Sequence, residues 1–239
     1  MAKLPGKAVF RDRVWSALQR AKVARFPGAR YRIPNFTGAE AAARRLSELE
    51  EFAAAQTVKS NPDSPQLTVR ALTLAAGKQL YMAVPRLLEV KPFLLLDPRR
   101  LDGAHRRNAS IKGATEVALP VALGEMPHLD LIVCGTVAVN RQGVRIGKGG
   151  GFSDLEFALG VESGFIDGRT LIATTVHPLQ LLDERLPETA HDFRVDLIVT
   201  PDEVIRCRRV KRPAGILWDD LTEEKIGEVP ILSRLRETR

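Results

Sequence analysis

The sequence has 239 residues, of which 44% are hydrophobic, a formal net charge of +7 and a pI near 9.7. This length allows one sizeable core, and we expect a single domain over residues 1–239. The chain lacks an apolar run of ~18 residues and an apolar signal core, so we expect a cytoplasmic protein without membrane contact. Cys134 and Cys207 lack the close Cys or His spacing of zinc ligands.

The positive charge fits either nucleic acid or small polyanions such as nucleotides and folates. Its densest cluster is the run Arg206–Arg212. We interpret this run as a solvated strand edge rather than an RNA-binding patch. Aromatic residues are only 5% of the chain and do not interleave with these arginines, which argues against a nucleic-acid partner.

Two amphipathic helices are predicted near the N-terminus. The first covers Ala8–Arg25 and ends before Pro27-Gly28. The second begins at Thr37, because Thr37-Gly38-Ala39-Glu40 fits a capping box. Its predicted buried stripe consists of Ala42, Leu46, Leu49 and Ala53.

Beyond residue 65 the sequence consists of short apolar runs with helical segments between several of them. The runs predict buried strands at Leu80–Val84, Phe93–Leu96, Val117–Val121, Leu129–Val139, Leu171–Val176 and Val195–Thr200. The predicted helices are Thr68–Ala76, Asp154–Ser163 and roughly Pro178–Leu186. This alternation indicates an α/β fold with a mainly parallel sheet and helices on both faces.

The strongest chemical signal is the glycine-rich stretch Arg145–Asp154, which lies between the predicted strand Leu129–Val139 and the predicted helix Asp154–Ser163. Four of the five residues from 147 to 151 are glycine, so backbone N–H groups can approach an anion closely. The following helix adds its positive N-terminal end. Arg145 and Lys148 add charge, and the stretch is therefore predicted to bind phosphate.

Asp154 has two interpretations. Its carboxylate could hold Mg²⁺ bound to the same phosphates. Alternatively, Ser153-Asp154-Leu155-Glu156 is a favourable helix start in which Asp154 stabilises the N-terminus and Glu156 closes a capping box. The stretch matches neither G-x-x-x-x-G-K-[ST] nor G-x-G-x-x-G, so no general nucleotide motif supports the predicted phosphate site.

The stretch Arg145–Asp154 resembles the R-L-G-x-G-x-G-Y-Y-D signature of 5-formyltetrahydrofolate cyclo-ligases. Further matches extend the resemblance over nearly the whole chain. They are Lys7 with Arg11, Gly77-Lys78 leading to Pro85-Arg86, and Leu186-Pro187-Glu188 running through His191-Asp192 to Val195–Thr200. The sequence is most similar to the divergent branch of methenyltetrahydrofolate synthetase domain-containing proteins, which carry stretches like Arg32–Phe36 and Gly147-Lys148-Gly149.

The resemblance implies a three-layer α/β/α fold and an ATP- and Mg²⁺-dependent conversion of 5-formyltetrahydrofolate to 5,10-methenyltetrahydrofolate. It assigns nucleotide phosphates to seven further positions besides Lys148 and the metal ligand Asp154: Lys7, Arg11, Arg145, Gly147, Gly149, Gly150 and Gly151. Lys148 and Asp63 are the implied catalytic residues, with Asp63 at the family's acidic substrate-loop position. Asp63 is also a plain turn residue before Ser64-Pro65, and that alternative stays open.

Departures from the family pattern concern the substrate. Ser153 replaces a tyrosine expected beside the pterin, Phe152 replaces another, and Leu155 stands where an arginine is expected. A lost stacking contact of roughly 1–3 kcal/mol would weaken a pterin about ten- to a hundredfold. An alternative is therefore a paralogue that binds ATP but acts on another, thiamine-related substrate. A second alternative, supported only by the net charge and the Arg206–Arg212 run, is a non-catalytic nucleotide- or RNA-binding module.

The two remaining candidates are histidines. His191 precedes Asp192 as in the family and is interpreted as a packed, hydrogen-bonded residue. His177 ends a predicted buried strand, where sites of α/β proteins commonly form, and is a weak site candidate.

Overall fold

A computed structural model describes residues 4–237, in which a large mixed sheet forms the centre of an α/β fold. This sheet has eight strands in the order β11-β10-β8-β5-β1-β2-β3-β4. In chain order they are β1 (Thr57–Ser60), β2 (Gln79–Ala83), β3 (Phe93–Leu96), β4 (Leu119–Val121), β5 (Leu131–Cys134), β8 (Leu171–Thr175), β10 (Leu197–Val199) and β11 (Val204–Arg206). The five strands from β10 to β2 are parallel, and antiparallel strands flank them on both sides.

Helices cover both faces of this sheet because its inner strands are apolar on both sides. They are α2 (Ala39–Ser47), α3 (Glu50–Ala54), α4 (Leu67–Ala75), α5 (His105–Asn108), α6 (Ile111–Val117), α7 (Phe152–Glu162), α8 (Glu223–Glu228) and α9 (Pro230–Glu237). In β5, Ile132 joins the core under α7, α8 and α9, whereas its neighbour Leu131 joins the core under α2, α3 and α4. The predicted α/β fold with helices on both faces of a mainly parallel sheet is confirmed.

A second, three-stranded sheet carries the strand that leads into the glycine-rich stretch. Its order is β7-β6-β9, with β6 at Ala138–Asn140, β7 at Arg145–Ile146 and β9 at Leu181–Leu182. Helix α1 (Lys7–Arg20) packs on it through a buried stripe of Phe10, Val14, Trp15 and Leu18. This packing brings the N-terminal helix to the glycine-rich stretch.

Several predicted boundaries are wrong. Helix α1 ends at Arg20 rather than Arg25, and Val117 is the last residue of α6 rather than the start of β4. The run Leu129–Val139 forms two strands, β5 and β6, because Gly135-Thr136 separates them. The segment predicted as a helix at Pro178–Leu186 is a short 3-10 turn followed by β9.

The capping box predicted at Thr37 is also wrong. Gly38 is the N-cap of α2, with φ 97°, and no side chain caps the helix. The Thr37 hydroxyl instead accepts a hydrogen bond from Arg25 Nε at 2.9 Å. The stripe from Ala42 to Ala53 is shared between α2 and α3, and Ala53 is exposed.

Two surface features complete the fold. The basic run begins with Arg206 at the end of β11, one of the two edge strands of the large sheet, and its other residues lie beyond the strand. Within residues 4–237, no helix combines the length and apolar character that a bilayer crossing requires.

Candidate active site

The glycine-rich stretch forms a loop between β7 and α7, reached through the β6–β7 hairpin rather than directly from β5. Gly149 has φ 114° and Gly151 has φ 69°, backbone conformations that favour glycine. A β-carbon added at Gly149 would lie 3.4 Å from Arg11 Cζ, so the loop passes directly against that guanidinium. The loop ends at Gly151, the N-cap of α7, where no side chain caps the helix.

Arg145 and Asp154 pair beneath this loop. Arg145 Nη2 donates to Asp154 Oδ1 at 2.7 Å, and the guanidinium lies 4.1 Å from the centre of the Phe193 ring. Burial opposes the charge of Arg145, but Asp154, Cys134 and Asp192 together outweigh burial and raise the arginine pKa. Arg145 Nε is buried without a hydrogen-bond partner among the described residues. The pair therefore fixes the first turn of α7 to the strand before the loop.

Helix α1 contributes two cations, as the i, i+4 spacing of Lys7 and Arg11 predicts. Arg11 Nε donates to the Gly147 carbonyl at 2.7 Å, which anchors the start of the loop. Lys7 pairs with Asp192. Burial would raise the pKa of Asp192, but hydrogen bonds from Lys7 and Thr189 lower it below its usual range. Burial also lowers the pKa of Arg11, partly offset by Asp192.

Lys148 and Asp63 meet across the loop. Lys148 Nζ lies 3.7 Å from Asp63 Oδ1, and the lysine side chain is half-exposed whereas the aspartate is mostly covered. A β-carbon added at Gly135 would lie only 2.7 Å from Asp63 Oδ2, so the absence of a side chain there lets the carboxylate approach. The structure thus brings both predicted catalytic residues together at the carboxyl ends of β1 and β5.

Behind the loop, a buried ion pair links the central strand to α7. Lys59 of β1 pairs with Glu156 of α7, and both side chains are less than 10% exposed. Glu156 therefore does not close a capping box with Ser153. This pair could not be found from the sequence, since 97 residues separate its members and Lys59 lies in a strand that the apolar runs did not reveal.

The Ser153 hydroxyl faces the same interior region. Its Oγ is buried and has no hydrogen-bond partner among the described residues. It lines a small cavity with Lys59, Glu156, Phe157 and Phe193. The side chain at this position therefore points into the core rather than across the outer surface of the glycine-rich loop.

The two histidines lie outside this cluster. His177 caps a 3-10 turn by accepting a hydrogen bond from Leu179 N at 3.1 Å, and burial lowers its pKa. His191 shares a hydrogen bond of 3.0 Å with Thr189 Oγ1, as predicted, but its side chain is 48% exposed rather than packed.

Comparison with known proteins identifies the family. The 5-formyltetrahydrofolate cyclo-ligase family matches residues 5–201, which is most of the chain. The chain belongs to this family. The cyclo-ligase match includes the glycine-rich loop, both cations of α1 and Asp63.

The chain is also similar to the methenyltetrahydrofolate synthase domain-containing proteins. It is 38% identical to the protein of Mus musculus over 242 residues, covering 97% of this chain and 63% of that protein. It is 37% identical to the protein of Homo sapiens over 240 residues, covering 96% of this chain and 61% of that one. The cyclo-ligase-like chain thus spans less than two thirds of these relatives.

One solved structure supports the fold. The NMR structure of Aquifex aeolicus 5,10-methenyltetrahydrofolate synthetase superposes with a TM-score of 0.54 at 23% sequence identity. The match covers 86% of this chain and 94% of that one. The fold of the cyclo-ligase family is therefore present here.

Proposed function

We propose that this protein is an ATP- and Mg²⁺-dependent ligase that converts 5-formyltetrahydrofolate to 5,10-methenyltetrahydrofolate. The observation that supports this most is the cluster of cations around an uncapped helix N-terminus and a glycine-rich loop. Arg11 and Lys148 lie at the loop, and Arg145 lies under it. Backbone N–H groups, a helix dipole and cations together favour the phosphates of a nucleotide.

The contacts that hold each side chain determine its proposed role. Arg11 and Arg145 are held by Gly147 and Asp154, so they present charge in fixed positions. Lys148 is half-exposed and free to follow a phosphate, while Asp63 beside it is suited to receive a substrate amine. In the proposed reaction, ATP supplies the phosphoryl group that activates the formyl oxygen. Positioning and charge neutralisation are the demands on the protein.

The residues present are compatible with Mg²⁺. Asp154 Oδ1 is occupied by Arg145, and no hydrogen bond engages its Oδ2 among the described residues. One carboxylate suffices for Mg²⁺ when phosphates and waters supply the other oxygens. No group of three His, Cys, Asp or Glu side chains within residues 4–237 forms a separate metal cluster. Asp154 would therefore hold the ion through its free oxygen.

A second candidate is an ATP-binding paralogue with a different substrate. Ser153 favours it: where the family resemblance places a tyrosine beside the pterin, this chain has a small side chain whose buried hydroxyl lines a cavity with Lys59 and Glu156. The match covers only 63% of the Mus musculus relative, so the name of that longer protein does not assign a substrate to this chain.

A product assay tests the proposal. Methenyltetrahydrofolate absorbance is followed with the full chain, 5-formyltetrahydrofolate and Mg²⁺, with and without ATP, while phosphate release is measured in parallel. We expect ATP-dependent product formation. Binding of an ATP analogue without any methenyltetrahydrofolate would exclude the cyclo-ligase reaction and leave the paralogue. Failure to bind the analogue at all would refute the nucleotide site itself.

A further inference from the structure

A groove of about 620 Å³ lies on the other side of the loop that carries Asp63. One wall is the segment between α1 and α2 together with the start of α2. The other wall is formed by Pro62 to Arg70 and by Arg106 to Ile111. Its volume is within the usual range of small-molecule sites, roughly 300–1,000 Å³.

The charge of this groove is strongly positive. Its lining contains one acidic residue, Glu40, and four arginines, which are Arg25, Arg44, Arg70 and Arg106. Arg106 spans the groove, donating to Glu40 Oε1 at 3.1 Å and to Thr68 Oγ1 at 3.3 Å. In residues 4–237 the Arg44 side chain makes no ion pair or hydrogen bond. An unpaired guanidinium in such a lining favours an anionic ligand.

Arg70 places a buried, fixed positive charge in the wall of the groove. The residue is only 1% exposed. Its Nε donates to Ala109 O at 2.8 Å and its Nη1 donates to Asn61 O at 2.6 Å and Asp63 O at 3.0 Å. Burial, partly offset by Asp63, lowers its pKa to about 10, so it stays cationic at neutral pH. No carboxylate hydrogen-bonds to this buried charge among the described residues, and its Nη2 makes no hydrogen bond there.

An aromatic surface stands at the rim of the groove. Phe26 lines it and is 92% exposed. A phenyl ring presented almost entirely to solvent gives a flat ligand a face to stack on. Thr68 lies in the first turn of α4, whose N-terminus also lacks a side-chain cap and adds its dipole to the same lining.

We propose that this groove binds a planar organic acid: an aromatic ring that carries a carboxylate or phosphate. Arg44 takes the anionic group, supported by Arg70 and Arg106, and Phe26 stacks on the ring. The site is separate from the glycine-rich loop. The carboxylate of Asp63 faces Lys148, whereas its neighbours Pro62 and Ser64 line the groove. Binding in the groove does not require ATP at the loop.

Calorimetric titration of the full chain tests this with two probes, 4-aminobenzoyl-glutamate for carboxylates and phenyl phosphate for phosphates. At least one should bind with one-to-one stoichiometry, and the stronger probe identifies the anion. Arg44→Gln should weaken that probe about tenfold or more, and Phe26→Ala about three- to tenfold. Both side chains are exposed, so neither variant should lose its fold.

Two controls separate this site from the loop and from general charge. Arg208→Gln removes an exposed arginine near the amino end of β10 that does not line the groove, and should leave probe affinity unchanged. Saturation with a non-hydrolysable ATP analogue should not displace the probe. The proposal is overturned if neither probe binds, if Arg44→Gln binds as well as the wild type, or if the analogue displaces the probe completely.

Discussion

At the scale of single residues, Lys148 is the loop cation most able to contact a phosphate directly. Its side chain is 51% exposed, and its Nζ lies 3.7 Å from Asp63 Oδ1. We expect Lys148→Ala to weaken binding of an ATP analogue about tenfold or more, the effect of losing a hydrogen bond to a charged group. Thermal unfolding should hardly change. Lys211→Ala, at an exposed lysine on the basic run, is the matched control and should alter neither quantity. Equal affinity for the Lys148 variant and the wild type would contradict the assignment.

Two glycines of similar exposure should respond in opposite directions to alanine. Gly149 has φ 114°, which an alanine adopts only with strain, so Gly149→Ala should destabilise the fold by about 1–3 kcal/mol. Gly227 lies inside α8, and a β-carbon added there would have no other atom within 4 Å. Gly227→Ala should therefore stabilise the fold by about 0.5–1 kcal/mol. Urea unfolding of both variants measures this. A Gly149→Ala variant at least as stable as the wild type would show that the Gly149 backbone is not constrained.

At the scale of elements, the Lys59–Glu156 pair joins β1 to the helix that begins at the glycine-rich loop. Both side chains are buried, so removing one charge leaves the other without compensation. We expect Glu156→Gln to lower the free energy of unfolding by about 3–5 kcal/mol. The double variant Lys59→Met with Glu156→Leu should regain most of that loss, because it buries no charge. A single variant as stable as the wild type would contradict this account of the pair.

The same pair explains what the sequence could and could not predict. Apolar runs identified β2, β3, β8 and β10, because those strands carry their own burial signal. They missed β1, the strand next to β5 at the centre of the sheet, since Lys59 and Ser60 interrupt it and the partner of Lys59 is distant in sequence. The positions of the glycine-rich loop and its cations were predictable from residue types and from their order along the chain. Their anchors, and the groove beside Asp63, depend on contacts between distant segments and were not.

Helix α1 is tied to the loop before β10 by Lys7 and Asp192, and this tie should depend on pH. The lowered pKa of Asp192 means that its stabilisation is fully present well above the unfolded carboxyl pKa of about 3.9. It is lost as the pH falls through the lower folded-state pKa. We therefore expect the stability difference between wild type and Asp192→Asn to be largest near neutral pH and to shrink below about pH 4. A difference that stays constant down to pH 2 would exclude this ion pair as its cause.

At the scale of the whole molecule, the net charge of +7 is less available to a polyanion than its size suggests. Several arginines of the run 206–212 are already paired within the fold. Arg206 pairs with Glu51, while Arg209 and Arg212 both pair with Asp196. Arg212 also donates to the backbone carbonyls of Asp167 and Thr170, so it stabilises the loop before β8. Within the run, Arg208 and Lys211 are exposed and make no ion pair with any of residues 4–237.

This distribution predicts how the protein should behave toward nucleic acid. Any binding of a single-stranded RNA should be weak and should disappear as salt rises from about 50 to 200 mM, since only phosphate neutralisation supports it. The double variant Arg208→Gln with Lys211→Gln should reduce the low-salt affinity without changing the melting temperature. Arg212→Gln should instead lower stability, because it removes hydrogen bonds from a largely buried guanidinium. Fluorescence anisotropy across a salt series and thermal unfolding separate the two effects. Sequence-selective binding that survives moderate salt would show that a surface other than this run recognises RNA.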